Sequence, residues 1–275
     1  MWRQLPNTFM TIRSTEAITR YKQKVAMRFS RAAESYDQYA VFQELVLSEL
    51  MTRFAPNPND SWVDIGTGTG RALEAMQSVQ PQLSCVALDL SFDMLRQAQQ
   101  RTAGVSLVCA DAESLPFKNA AFDGVLSSLA IQWCLHPDHL FKEWFRVLND
   151  HGQVLVSTLV SGSMPELGKA WQLVDGRLHH NQYPELETLL NHCCDAGFKV
   201  AGAEQKTLTA YFDSVKEAVY SLKKVGASLV TESTDVVSPS RWKAFESAYQ
   251  QQATDRGIPL SYEVAFIQLT KVDHG

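Results

Sequence analysis

From residue 61 onward, short apolar runs alternate with polar or helical segments. The runs lie at 61–66, 83–90, 105–110, 122–129 and 152–160, each of the length a buried strand takes. Ser91 stands where an N-cap would open a helix running to about Arg101. Pro137 and Asp138 open another, through about Leu148, with Asn149-Asp150-His151-Gly152 as its exit. Strands alternating with helices predict a parallel sheet with helices on both faces. Right-handed crossovers then gather the strand C-termini on one edge, where ligands bind.

Three regions fall outside this repeat. Residues 15–55 read as mostly helical before the first strand, and 161–183 and 213–257 read as helical insertions rich in Leu, Trp and Lys. The last run, Tyr262 to Thr270, is strand-like and pairs in this reading with a strand near 199–212. Helical insertions that interrupt a doubly wound core are natural lids over its binding edge. There is no internal repeat, low-complexity tract or Pro/Gly-rich linker. The expectation is one α/β domain over 1–275, a doubly wound and mostly parallel sheet with a helical lid and a cofactor-binding core at 61–160.

Composition narrows the class. The chain is 45% hydrophobic and 20% charged with a net charge of −5, which is ordinary for a globular protein and gives no global footprint for nucleic acid. No apolar run approaches the roughly 18–20 residues of a membrane span, and the N-terminus lacks the apolar region of a signal peptide. The five cysteines include no C-x-x-C pair, which argues against disulfides or zinc and for a reducing cytoplasm. His136, His139, His179 and His180 show no ligand spacing, so no metal is assigned. Residues 1–33 hold seven basic side chains against Glu16 alone. That basic arm is a solvated segment or a docking patch for an acidic partner.

The chemistry concentrates at Trp62-Val63-Asp64-Ile65-Gly66-Thr67-Gly68-Thr69-Gly70. An apolar run ends in an acid and then three glycines at alternate positions. Glycine permits φ > 0 and close approach of the backbone to a ligand, and the following helix presents free N–H groups. Asp89 ends the second strand, where an acid can accept hydrogen bonds from ribose hydroxyls. Asp111-Ala112 ends the third, where Asp can accept from an adenine amino group. Ser127-Ser128-Leu129-Ala130 ends the fourth, beside the first at the switch point. An NAD site would be better served by G-x-G-x-x-G; here Gly70 comes one residue early and Arg71 stands where a third glycine is needed.

At each of these four stations the chain resembles a class I methyltransferase, whose sheet has seven strands and whose methyl donor is S-adenosylmethionine. That resemblance implies that Asp64, Gly66, Gly68 and Gly70 contact the methionine part, Asp89 the ribose, and Asp111 and Ala112 the adenine, with Leu90, Met94 and Ser128 completing the site. The flanks are more specific. Phe29-Ser30-Arg31-Ala32-Ala33-Glu34-Ser35-Tyr36-Asp37-Gln38-Tyr39-Ala40, Ser128 to Cys134, Thr158 to Leu167, Ala170-Trp171-Gln172 to Val174-Asp175, and Ser221-Leu222-Lys223-Lys224-Val225-Gly226-Ala227 resemble the BioC family, the malonyl-[acyl-carrier protein] O-methyltransferases of biotin synthesis. The departures are Thr67 and Thr69, where Cys and Pro are common, and a longer N-terminal arm.

The resemblance implies methyl transfer to the free carboxylate of malonyl-acyl-carrier protein or its coenzyme A thioester. A carboxylate is already ionised at pH 7, so no residue is assigned as a general base. It still needs a cation or donors; Arg177 is the leading candidate because a guanidinium suits a carboxylate, and Lys223 is the second. Tyr36 would close over the methionine end, with Gln132 and Trp133 as a pocket wall. Arg20, Lys22 and Lys24 of the arm, or Lys216, Lys223 and Lys224 beside the lid, would receive the acidic carrier protein. The chain is expected to act as a monomer. The alternatives are a C- or O-methyltransferase acting on a quinone- or lipid-like molecule, a non-catalytic S-adenosylmethionine-binding scaffold, and an NAD enzyme.

Overall fold

Trp62, Val63, Asp64 and Ile65 are all buried along β1 (Ser61–Ile65), as a strand covered on both faces requires. Trp62 enters one hydrophobic core and Val63 and Ile65 the other. The computed structural model describes residues 14–102, 104–177, 179, 181–225 and 237–272. Around β1 stand β2 (Ser84–Asp89), β3 (Ser106–Cys109), β4 (Phe122–Ser128), β5 (Leu148–Leu159), β6 (Phe198–Phe212) and β7 (Ile258–Lys271). They form one seven-stranded sheet in the order β3-β2-β1-β4-β5-β7-β6. Only β7 runs against its neighbours, and it pairs with the 198–212 strand as expected. β1 lies between β2 and β4 in parallel register, so three strand C-termini meet at one edge.

The expected exit at 149–152 is part of β5 instead. β5 begins directly after α6 (Pro137–Val147). Its pairing jumps from Phe122↔Leu148 to Gly124↔Gln153, and His151 takes φ +64. The turn-forming residues are absorbed as a bulge within the strand rather than ending the helix in a loop.

Helices cover both faces. α4 (Arg71–Val79) and α5 (Phe92–Arg101) follow β1 and β2, and Ser91 caps α5 by accepting from the Met94 N–H at 3.3 Å. Ahead of the sheet come α1 (Thr15–Ala32), α2 (Tyr36–Tyr39) and α3 (Val41–Met51). α3 buries Phe42, Val46 and Leu50 at i, i+4 and i+8, with Phe42 stacked on Tyr262 of β7 at 3.8 Å.

The N-terminal helices are tied to the glycine loop. Asp37 accepts from Thr69 Oγ1 at 2.7 Å and from Arg71 Nε at 3.0 Å, and also pairs with Arg101. Ser30 and Ser91 share a 2.9 Å hydroxyl contact.

Both expected insertions contain helices, joined by turns and irregular chain. They supply α7 (Pro165–Val174), α9 (Val215–Lys224) and α10 (Pro239–Gln250), while α8 (Leu186–Asp195) packs under the second core. Trp171 of α7 stacks on Phe245 of α10 at 4.4 Å. Residues 226–236, with Gly226 and Ala227, lie outside the described residues, as do Arg3 and Arg13 of the basic arm and His180.

Candidate active site

The turn after β1 is held by its own backbone. The Gly66 and Thr67 N–H groups donate to Leu88 O at 2.8 and 3.0 Å, which locks the loop to β2. Gly66, Gly68 and Gly70 take φ +77, +55 and +85, a region glycine enters without steric cost. A Cβ on Gly66 would stand 2.2 Å from the Ala130 Cβ, so the loop rests directly on the end of β4. Around Gly68 nothing lies within 4 Å of such an atom, and that side faces a cavity.

The cavity lies along the C-terminal ends of the strands. Gly66, Gly68, Asp89, Leu90 and Met94 line one side, and Asp111, Ala112 and Ser128 the other. Asp64 and Gly70 support this wall from behind. Asp64 is buried and accepts from Thr67 Oγ1 at 2.7 Å; Gly70 opens α4 and rests 3.0 Å, at an added Cβ, from Ala98 of α5. Asp89 organises the floor: its Oδ2 accepts from the Gly68 N–H at 2.9 Å and its Oδ1 from the Ser91 N–H at 2.7 Å.

The electrostatics favour a cationic occupant. Burial pushes the Asp64 carboxyl up to about 7, with neighbouring Asp89 adding to the shift and the Thr67 hydroxyl opposing it. Burial likewise pushes Asp89 up to about 6, against the N–H groups of Ser91, Gly68 and Leu90. Two carboxylates held short of easy ionisation are stabilised by positive charge nearby. A pyrophosphate would meet the opposite field. S-adenosylmethionine, which carries an ammonium and a sulfonium, fits this set of acceptors; Asp89 offers acceptors for a ribose diol and Asp111 for an amino group.

Lys22 of α1 departs from the expected docking arm. It turns inward, lines the cavity and pairs with Asp111 and Glu113. Two acids close to one amine make that inward position favourable, and they remove Lys22 from the outer surface. Asp111 keeps acceptor capacity, because each carboxylate oxygen takes more than one donor. Arg20 stays outside, paired with Glu16 at 2.9 Å.

A second, smaller chamber shares Phe29, Tyr36, Leu129 and Trp133 with the first cavity. Tyr36 and Trp133 therefore stand between the two, and Gln132 faces the chamber alone. The Gln132 amide is fixed: Nε2 donates to Leu129 O at 2.7 Å and Oε1 accepts from Thr158 Oγ1 at 3.2 Å. The insertions add Met164, Tyr183, Leu222 and Val225. A third, open groove shares Phe42, Gln43, Leu222, Val225 and Tyr262 with the chamber. The three spaces thus share walls in series from the glycine loop to the surface.

Arg177 and Lys223 are not brought to this chamber. Arg177 is exposed, with its N–H donating to Asp175 Oδ1 at 3.0 Å. α9 turns Leu222 and Val225 inward, three residues apart, so Lys223 points out, its Nζ 5.6 Å from the Tyr220 ring centre. Lys216 and Lys224 do line the outer groove. Sequence reasoning missed Lys22, Glu113, Gln43, Tyr183 and Tyr262 as lining residues. The one local signal was Glu113, two residues past the strand-ending Asp111. Among the described residues no group of three or more His, Cys, Asp or Glu side chains has the arrangement of a metal site.

A family model described as a methyltransferase domain matches residues 63–156. A protein of Marinomonas sp. named malonyl-[acyl-carrier protein] O-methyltransferase is 46% identical over 90% of this chain and 93% of its own length. A protein of the same name from Alcanivorax borkumensis is 34% identical over 91% of this chain and 87% of its own length. Among solved structures, a putative methyltransferase of Bacillus halodurans aligns with TM-score 0.61 and 20% identity over 82% of this chain and 99% of that one. That last likeness supports the fold.

Proposed function

The chain belongs to the malonyl-[acyl-carrier protein] O-methyltransferase family, and we propose that it methylates the free carboxylate of a malonyl group carried on acyl-carrier protein, giving the methyl ester that primes pimeloyl synthesis for biotin. The observation that carries this reading is the shared wall between the cavity and the chamber, continued by the groove to the surface. A donor beside a small acceptor space with a long approach suits a short acyl group on a tether. A quinone or lipid acceptor would not call for the lysines on the groove.

S-adenosylmethionine supplies an electrophilic methyl group at a sulfonium. Asp89 and Asp111 would hold its nucleoside end, with Asp64 and the glycine loop beneath its methionine end. Tyr36, Leu129 and Trp133 form the passage between donor and acceptor. The acceptor carboxylate is ionised at neutral pH, so the protein's task is alignment and exclusion of water. Tyr183 and Tyr262 take the place expected of Arg177 and Lys223. Burial holds both phenols well above their usual range, so they remain neutral O–H donors. Neutral donors hold a carboxylate without quenching its nucleophilicity as a full cation would. Lys216 and Lys224 present positive charge to the acidic carrier protein at the groove. The five cysteines are unpaired, in keeping with a reducing cytoplasm.

Incubating the protein with labelled S-adenosylmethionine and either malonyl- or acetyl-carrier protein tests the reading. Label is expected in the malonyl form alone. Label in neither, or in both equally, would overturn it.

The pH dependence of donor binding follows from the two raised carboxyl groups. Their folded pKa values, about 7 and about 6, lie above the ordinary 3.8. The empty folded protein therefore holds more protons than the unfolded chain between pH 4 and 7, and loses stability as pH rises through that window. A cationic ligand favours the ionised pair, so binding releases those protons and strengthens with pH. Between pH 7.5 and 5.5 the Kd is expected to rise on the order of 10- to 100-fold. Titration calorimetry at both pH values in two buffers reads affinity and proton release together. A Kd that does not change with pH would mean that neither carboxylate is coupled to the ligand.

A further inference from the structure

Gln43 sits on α3 where the acceptor chamber meets the surface groove, and it lines both. Its neighbours in that neck are Phe42, Leu222, Val225 and Tyr262, mostly apolar or aromatic surface. The Gln43 Oε1 is buried and has no hydrogen-bond partner among the described residues. An unmet buried acceptor costs about 1–3 kcal/mol, and native proteins leave few of them. Gln132, the other amide in the chamber, has both of its ends satisfied. The unmet acceptor therefore belongs to a residue that lines the path from the groove to the chamber.

A ligand that satisfies it must bring a donor to the neck. An acyl thioester on a pantetheine-type arm has one at a fixed position: two methylenes beyond the sulfur lies an amide N–H. With the acyl group in the chamber and the carrier outside the groove, that stretch of the arm occupies the neck. We propose that the Gln43 Oε1 accepts the N–H of this first amide, making Gln43 a residue that selects amide-bearing thioesters and sets how deep the acyl group reaches. The inference rests on the methyl-transfer reading above.

Two small malonyl thioesters separate it from that reading. One is built on N-acetylcysteamine and carries the amide N–H. The other is built on 5-mercaptopentan-2-one, where a methylene replaces the N–H and the carbonyl stays. Wild-type protein is expected to use the amide thioester with kcat/KM about three- to tenfold above the ketone, the worth of one hydrogen bond. In Gln43→Met, which keeps the length of the side chain without an acceptor, the ratio is expected to fall to about one, with the change in KM rather than kcat. The Kd for S-adenosylmethionine should not move. A wild-type ratio of one, or an unchanged ratio in the variant, overturns the proposal. The wild-type ratio tests it even if the variant folds poorly. Failure of the wild-type protein to methylate either thioester or malonyl-carrier protein would instead remove the methyl-transfer reading, and this inference with it.

Discussion

Asp89→Asn is expected to weaken S-adenosylmethionine binding about 100-fold or more while leaving the fold in place. The substitution preserves shape, so its effect isolates what the second oxygen does. Asp89 accepts from Gly68 N–H with one oxygen and from Ser91 N–H with the other. An asparagine has one acceptor and one donor at those positions. Whichever way the amide is turned, an N–H faces its –NH2, and either the glycine loop or the start of α5 is pushed away. The amide also offers a ribose diol a weaker, uncharged acceptor. Loss of the charge on the acceptor offered to the ribose diol, with displacement of the loop that lines the cavity, is expected to cost about 3 kcal/mol of binding, which is about 100-fold in Kd.

Stability should move in the other direction or hardly at all. Burial already pushes this carboxyl up to about 6, so at pH 7.5 the ionised group is a burden on the empty protein that the neutral amide removes. A melting temperature within about 5 °C of wild type is expected, together with the large loss in Kd by calorimetry. Binding left intact in Asp89→Asn would mean that this acid is a turn residue and that the ribose is held elsewhere.

What could be read from the sequence, and what could not, divides along one physical line. The stations at Asp64, the glycines, Asp89 and Asp111 are local: a strand ends, a turn follows, and the backbone path decides where these residues point. The same is true of the Ser91 cap. The insertions announced themselves as helices because they broke the strand-helix rhythm. Side chains on helices were harder, because their direction depends on which face packs inward. Lys22 belongs to a run of basic residues that reads as a solvated arm or a docking patch, yet α1 turns it into the cavity beside Asp111 and Glu113. Lys223 lies one position from Leu222, which does face the chamber, and about 100° of helix rotation puts it outside. Gln43 and Tyr262 are 219 positions apart in the numbering and line the same chamber because neighbouring Phe42 of α3 stacks on Tyr262 of β7. No spacing rule reports such a contact. The Asn149-to-Gly152 stretch has turn chemistry, and only the register of β4 against β5 turns it into a bulge.

The glycine loop gives the second large effect, and here the sites separate by what each glycine does. At Gly66 two costs combine: φ is +77, which disfavours any side chain, and an added Cβ would lie 2.2 Å from the Ala130 Cβ. Ala130 and the preceding Ser128 and Leu129 line the cavity, so relief of the clash must move the cavity wall. Gly66→Ala is therefore expected to lower the melting temperature by about 5–10 °C, on roughly 2–3 kcal/mol of strain and displacement, and to abolish measurable donor binding. Gly68 supplies the control. Its φ of +55 carries a similar backbone cost, but an added Cβ meets nothing within 4 Å. Gly68→Ala should cost about 1 kcal/mol and affect binding through the methyl group it places at the cavity. The decisive comparison is Gly66→Ala with Ala130→Gly. Removing the atom that is struck leaves only the conformational cost, so about half of the lost stability and part of the binding should return. If the double variant is no better than Gly66→Ala, close approach is not what requires glycine at this position, and the left-handed backbone alone explains it.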